Sequence, residues 1–375
     1  MTKALLMLSG GRSLPDLLVL KYLRPDVAIN ITTTQGRANA RYFQQFSQAH
    51  FGLTMEVPPA INPFNEQEIK NACRAALQCL PGAEWTMHIT TSPKIVGIYA
   101  HDIAREYGIP CWFLDTDGKQ VVSLVKQSEK VDNERFFKVT VEEYMQAYGR
   151  TYEIPKPPAY RQMAESWYAT ASALAHEPDA TQLLLKAIRE ARQDPLAIAM
   201  DVQTEQLIQQ LAALGVLSIT GKSAYRLNCT IANSEHLEFL KGDWLEVYVW
   251  TETIKARFAD DCQWGYKIRT ELPANELDLV LTYNARLLIA ECKTSKDPFA
   301  TDHLYKLHSV ADLVGGNYVR QVLITNCLQP KRKNNQFDNF TQQAKLRRIS
   351  VITGEQLPEV SALLQQEIKA TGRSH

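Results

Sequence analysis

Asp278, Glu291 and Lys293 stand in the stretch LDLVLTYNARLLIAECK, residues 277–293, whose other residues are mostly those of buried strands. A charge alone in such a strand is costly. Two carboxylates and an ammonium together are the set that holds a hard divalent cation beside a phosphodiester. Carboxylate oxygens suit Mg2+ or Mn2+, the cation polarises the phosphate, and the lysine stabilises the charge that grows on it. The Cys292 backbone carbonyl and Glu246 complete the expected ligands. The candidate metal set is therefore Glu246, Asp278, Glu291 and Cys292, and the candidate catalytic set is Glu246, Asp278, Glu291 and Lys293. Lys306, and Lys331, Arg332 and Lys333 in the basic loop QPKRKNNQ, are candidates for contacts to the substrate backbone.

These residues can act together only if two strands position them. The runs 277–281 and 287–290, split by Tyr-Asn-Ala-Arg, predict a hairpin. With a loop of two residues (Asn284, Ala285) or four (Tyr283 to Arg286), facing positions sum to 569, so that Asp278 faces Glu291. Lys293 then shares their face, because side chains alternate along a strand. Carboxylates about 5 Å apart across a sheet repel one another unless a cation lies between them. A three-residue loop would move Glu291 to the opposite face and dissolve the site. The alternative to a metal site is a buried Glu291–Lys293 or Asp278–Lys293 ion pair that only completes a core, which leaves one carboxylate over. Cys292 reads as a core residue on the other face. His303 and His308, at i, i+5 spacing, are poorly placed for joint ligation.

The whole chain of 375 residues, 45% hydrophobic and 22% charged, has room for two or three domains and the composition of a soluble globular protein. Its formal charge is zero, so contact with nucleic acid must come from a local patch. Seven cysteines without a C-x-x-C pair read as reduced structural thiols. With no apolar run of membrane-spanning length and no secretion signal, the expectation is a cytoplasmic protein.

Over residues 3–120, short apolar runs (KALLMLS, DVAINITTT, LTMEVPP, EWTMHIT, PCWFLDT) alternate with helical patterns, which predicts a parallel, Rossmann-like sheet. Ligands of such sheets bind at the carboxyl ends of strands. Three of those ends are polar and basic: Ser9-Gly10-Gly11-Arg12, Thr33-Thr34-Gln35-Gly36-Arg37 and Thr90-Thr91-Ser92-Pro93-Lys94. Glycines and small hydroxyls at helix N-termini offer donors to an anion, which predicts a phosphate-bearing ligand; helix capping and turn formation are the plainer use of the same residues. Neither a G-x-G-x-x-G nor a Walker motif is present. Asp115 and Asp117 read as a turn. Three prolines within residues 153–160 predict a linker, so the first domain is set at 1–152. Residues 161–230 then read as a winged-helix-like connector, its strands joined at Thr220-Gly221-Lys222. With no Arg or Lys at 194–221, its candidate recognition helix argues against direct DNA reading. Residues 233–375 form the third domain.

The order helix, strands, helix, strand after residue 233, with NELD and ECK on two strands, resembles the PD-(D/E)xK nuclease fold, although Glu276-Leu277 stands where Pro is usual before the aspartate. Joined to LSGGRSLPDLLVLKYLRPD, TTTQGR and TTSPKIVGIYAHDIA in the first domain, the chain resembles the CARF-domain nucleases that accompany type III CRISPR systems. In that family a glycine pair is usual where Thr91 and Ser92 stand here. The resemblance implies a homodimer whose CARF domains bind a cyclic oligoadenylate, most often cyclic tetra-adenylate, through residues such as Ser9, Gly10, Gly11, Arg12, Thr34, Gln35, Thr90, Thr91, Ser92 and Lys94. It implies that the ligand activates a Mn2+- or Mg2+-dependent endonuclease acting on single-stranded DNA, RNA or plasmid DNA. Two other functions stay open: a restriction- or repair-type endonuclease controlled by another nucleotide, and a non-catalytic transcriptional regulator.

Overall fold

The computed structural model describes the chain except for residues 12–13, 117, 126–130, 150–151, 154–157, 192–195, 269–274, 295–296, 298, 316–318, 331–333 and 371–375. Its secondary structure divides between two units, residues 1–151 and 152–370.

The first unit is built on a six-stranded sheet of β1 (Lys3–Ser9), β2 (Val27–Thr32), β3 (Thr54–Glu56), β4 (Glu84–His88), β5 (Cys111–Asp115) and β6 (Gln120–Ser123). All five strands expected from sequence are present, in the order β3-β2-β1-β4-β5-β6. Every pair is parallel except β5–β6, which is a hairpin. This is the doubly wound order, and its switch point lies between β1 and β4. Strand β1 is buried from Ala4 to Ser9, as the run KALLMLS requires of a strand covered on both faces. Asp115 turns the β5–β6 hairpin, its carboxylate accepting from the Gly118 N–H at 2.9 Å; Asp117 lies outside the described residues.

The second unit begins at β7 (Tyr152–Glu153), which pairs with a strand more than a hundred residues later. Two helices, Pro158–His176 and Pro178–Glu190, lead to β8 (Leu196–Ala199), a helix Val202–Ala213, β9 (Leu217–Lys222) and β10 (Arg226–Ile231). The three strands form an antiparallel sheet in the order β8-β10-β9, the layout of a winged helix. Thr220, Gly221 and Lys222, expected in the turn, instead lie in β9. The ladder shifts register at Asn228–Cys229, which absorbs the extra length and moves the turn to residues 223–225.

The mixed sheet of the C-terminal part contains β11 (Asp261–Ile268), β12 (Asn275–Tyr283), β13 (Arg286–Lys293), β14 (Val319–Thr325) and β15 (Ile349–Ile352), in the order β15-β14-β13-β12-β11-β7. One face, with Leu279, Leu281, Leu288, Ala290 and Cys292, packs on the helices Trp244–Ala256, Pro158–His176 and Val360–Lys369 in a single core. That core also takes in Leu207, Ile208 and Leu227 of the winged-helix-like region. The apolar faces of the helical segment and the C-terminal sheet are thus buried against each other. No described helix is long and apolar enough to cross a membrane.

Candidate functional site

The β12–β13 turn sets the candidate catalytic residues. Leu279 pairs with Ala290, Leu281 with Leu288 and Tyr283 with Arg286, so facing positions sum to 569 and the loop is the two-residue one. Asn284 (φ 47°) and Ala285 (φ 58°) are both left-handed, as a type I′ turn demands. Alanine there carries a strain of roughly 1–2 kcal/mol. Asn284 is held in place by its N–H, which donates to the Asp260 carboxylate at 2.6 Å.

One step beyond the Leu279–Ala290 pair, a side chain takes over from the backbone ladder: the Cys292 N–H donates to Asp278 Oδ2 at 2.7 Å. Glu291 is 3% exposed, and its Oε1 accepts from Lys293 Nζ at 2.6 Å and from Lys306 Nζ at 3.1 Å. Lys306 comes from the helix Thr301–Val314, which lies on the sheet face opposite the Cys292 core. The ion pair weighed from sequence is therefore real, with a second lysine in it, and Asp278 is the carboxylate left over. Burial and the neighbouring Glu291 and Glu246 carboxylates push Asp278 up to about 8, against the pull of the Cys292 N–H and Lys293. Burial pulls the Lys293 ammonium down, but Glu291 and Asp278 more than offset this and its net shift is upward. Cys292 is buried, and burial with the surrounding carboxylates raises its thiol far above the ordinary range, so it is no nucleophile.

Glu246 sits on the helix Trp244–Ala256 on the other face of the sheet, where its Oε2 accepts from the Trp264 indole N–H at 2.7 Å. Its field reaches Asp278, but among the described residues no three His, Cys, Asp or Glu side chains are grouped closely enough to hold a metal ion. Asp278, Glu291 and the Cys292 carbonyl fit a hard cation by donor type, and the carboxylates that raise Asp278 are a crowding that a cation would relieve. Lys331, Arg332 and Lys333 lie outside the described residues.

In the first unit the three polar strand ends meet. A Cβ on Gly10 would fall 2.2 Å from the Thr91 carbonyl oxygen, and one on Gly36 would fall 2.3 Å from Thr32 Oγ1 and 3.4 Å from the Ser9 and Gly10 carbonyls. The loops after β1, β2 and β4 therefore touch through glycine, beside the switch point. The helices Arg37–Phe51 and Lys94–Tyr107 begin here without a side-chain cap. Gly11, Thr34, Gln35 and Lys94 are exposed, and Arg12 lies outside the described residues.

Several hydroxyls expected to meet a ligand have protein partners instead. Ser9 Oγ donates to Asn30 at 2.6 Å, Thr91 Oγ1 to Asp16 at 2.9 Å, and Ser92 Oγ to the Ile89 carbonyl at 2.8 Å, while Thr90 Oγ1 accepts from the Leu114 N–H at 2.8 Å. Beneath them Asp16, 2% exposed, pairs with His88, which is 0% exposed, at 3.1 Å. Burial raises the Asp16 carboxyl, against the pull of His88 and Thr91. Spacing along the chain does not bring this pair together. Its one trace is a histidine ending the apolar strand EWTMH, aligned with the aspartate in the helix after β1.

Residues 233–371 match the family model of the Card1-like endonuclease domain. No curated protein matches the chain. Among solved structures the chain is similar to protein VC1899 from Vibrio cholerae, with 20% identity, 99% of both chains covered and a TM-score of 0.77. It is similar to Can2 from Sulfobacillus thermosulfidooxidans, solved in complex with cyclic tetra-adenylate, with 18% identity, 98% of both chains covered and a TM-score of 0.71. A type III CRISPR defence DNA nuclease activated by cyclic oligoadenylate matches at 15% identity and a TM-score of 0.53, over 90% of this chain and 47% of that one. The whole chain thus shares its fold with these proteins, and its C-terminal residues are similar to the Card1-like endonuclease domain.

Proposed function

We propose that the protein is a divalent-metal-dependent endonuclease of type III CRISPR defence, switched on by a cyclic oligoadenylate. The carrying observation is the placement of Asp278, Glu291 and Lys293 at one end of β12 and β13, within a domain that matches Card1-like endonucleases. Asp278, Glu291 and the Cys292 carbonyl would hold Mn2+ or Mg2+, with Glu246 a further candidate ligand from the helix. When bound, the cation supplies Lewis-acid stabilisation of charge on the phosphate. Lys293 then holds a phosphate oxygen, stabilising the charge that develops as the strand is cut. Lys306, released from Glu291, turns to the substrate backbone with Lys331, Arg332 and Lys333.

Residues 1–152 act as the ligand-binding domain, 161–230 as a connector and 233–375 as the nuclease. The ligand's phosphates bind the loops at 9–12, 34–37 and 90–94 of two subunits, with the uncapped helix N-termini as anion sites. A two-fold ligand between identical loops requires an isologous homodimer. Activation follows if the ligand binds the active arrangement more tightly than the inactive one. The similarity in fold to Can2, solved in complex with cyclic tetra-adenylate, supports that ring as activator.

The test is cleavage of labelled single-stranded DNA, single-stranded RNA and supercoiled plasmid with Mn2+ or Mg2+, with and without cyclic tetra-adenylate, for wild type and Glu291→Ala. Cleavage that needs both metal and ligand and is lost in the variant supports the whole reading. Equal cleavage without ligand sinks the coupling and favours a restriction-type enzyme. No cleavage with either the tetra- or hexa-adenylate ring favours a regulator.

A further inference from the structure

A cavity of ≈ 410 Å3 lies at the carboxyl end of β13, lined by Leu185, Ile188, Arg189, Lys241, Cys292, Lys293 and Thr294. It draws on three elements: the helix Pro178–Glu190, the π-helical turn Phe239–Asp243 and the residues where the chain leaves the sheet. They are tied together around it. Arg189 Nη1 donates to the Thr294 carbonyl at 3.3 Å, and Thr294 Oγ1 donates to the Lys241 carbonyl at 3.0 Å. The wall is apolar, with Leu185, Ile188 and Cys292 all buried, and the rim carries three cations. No carboxylate lines the cavity among the described residues.

We propose that this cavity holds one nucleotide of the substrate strand next to the phosphodiester that is cut, and that Arg189 and Lys241 are positioning residues for the strand. The inference rests on the nuclease reading above and deepens it. Three observations select this occupant. An apolar wall with a cationic rim matches a planar base joined to an anionic backbone, and the volume falls in the roughly 300–1,000 Å3 range of small-molecule sites. Cys292, part of the wall, donates its N–H to Asp278, and the next residue, Lys293, touches both the cavity and Glu291. Side chains at 291 and 292 point to opposite faces, so a strand crossing the end of β13 meets the carboxylates on one side and the cavity on the other. The only ion pair of the Lys241 ammonium among the described residues is with Glu238 at 2.9 Å, both partners largely exposed. Such a pair is weak and exchanges readily for a phosphate. Two of the three cations come from outside the hairpin that carries the candidate catalytic residues. One of them, Arg189, belongs to the segment read from sequence as a connector, which thereby takes part in substrate binding.

The test uses the full-length protein with Mn2+ and cyclic tetra-adenylate on 5′-labelled single-stranded DNA and RNA oligonucleotides. Arg189→Ala, Lys241→Ala and the double variant are compared with Lys222→Ala, which removes a charge of the same unit outside the cavity. The double variant should raise KM about tenfold with kcat nearly unchanged, and the slope of log KM against log salt should fall by about 0.7 for each cation removed. An abasic site walked along the strand should raise KM for wild type at one position beside the cut. Thermal unfolding of each variant reports that the fold is kept. An active wild type whose double variant keeps the same KM and salt slope, or matches Lys222→Ala, overturns this proposal alone, as does the absence of any sensitive abasic position. A wild type inert on both strands overturns the nuclease reading and this proposal with it.

Discussion

The β12–β13 hairpin and the strand ends of the first sheet are both polar places on apolar scaffolds, but they reach that state in opposite ways. At the hairpin, ionisable side chains are carried into the sheet by alternation, and Asp278 feels two other carboxylates while the Lys293 ammonium bonds Glu291. At the loops after β1, β2 and β4 the backbones approach one another through Gly10 and Gly36, and the hydroxyls of Ser9, Thr91 and Ser92 turn inward to brace them. The first arrangement stores charge, suited to chemistry on a phosphate. The second leaves the helices Arg37–Phe51 and Lys94–Tyr107 without a side-chain cap at their N-termini, suited to recognising one.

Substitutions should separate the two. Glu291→Ala has the largest expected effect: ligand-activated cleavage falls by about 10²–10³-fold, while calorimetric binding of cyclic tetra-adenylate stays as in wild type. A loss of both together would show that the two places are not distinct in function. Gly10→Ala should do the reverse. Its Cβ cannot clear the Thr91 carbonyl, and overpacking of about 1–3 kcal/mol lowers ligand affinity by one to two orders of magnitude. Stabilisation of the fold by Mn2+, read from thermal unfolding, should persist.

Asp278→Asn tests the stored charge through pH. Asp278 is pushed up to about 8, so between its ordinary value near 4 and that pH the folded chain keeps a proton that the unfolded chain has lost. Stability from this group therefore falls as pH rises across that window. The variant should melt about 2–4 °C above wild type at pH 8.5 without metal and equal it near pH 4. Added Mn2+ should raise the wild-type melting temperature at pH 8.5 more than that of the variant. A pH-independent difference would sink the account of Asp278. The smallest effect concerns the turn: Ala285→Gly relieves left-handed strain and should stabilise by about 1 kcal/mol or less, seen as a small rise in the denaturant midpoint.

The hairpin was legible in sequence because a strand's period of two turns loop length into facing, and a loop of two or four residues sufficed to set Asp278 opposite Glu291. The five strands of the first sheet were legible for a similar reason, each being an apolar run bounded by turn residues. Glu246 was not. Its distance from the carboxylates depends on how the helix Trp244–Ala256 lies on the sheet, and that helix covers the face away from Glu291. Lys306 was read as a substrate contact, yet it bonds Glu291, a contact fixed by helix packing that spacing along the chain does not encode. The Asp16–His88 pair joins residues 72 apart. The link of the middle segment to the C-terminal core was hidden likewise, since an amphipathic pattern tells that a face is buried and is silent about what buries it.

The turn at Asn284 and Ala285 also limits how this gene can vary. Surface turns ordinarily tolerate the gain or loss of a codon, because they are exposed and bury little. Here a one-residue slip of β13 against β12 would reverse the side of the sheet on which its residues lie, carrying Glu291 into the apolar core and Cys292 out of it. An added codon is therefore tolerated only where the turn itself takes up the extra residue and leaves Tyr283 paired with Arg286.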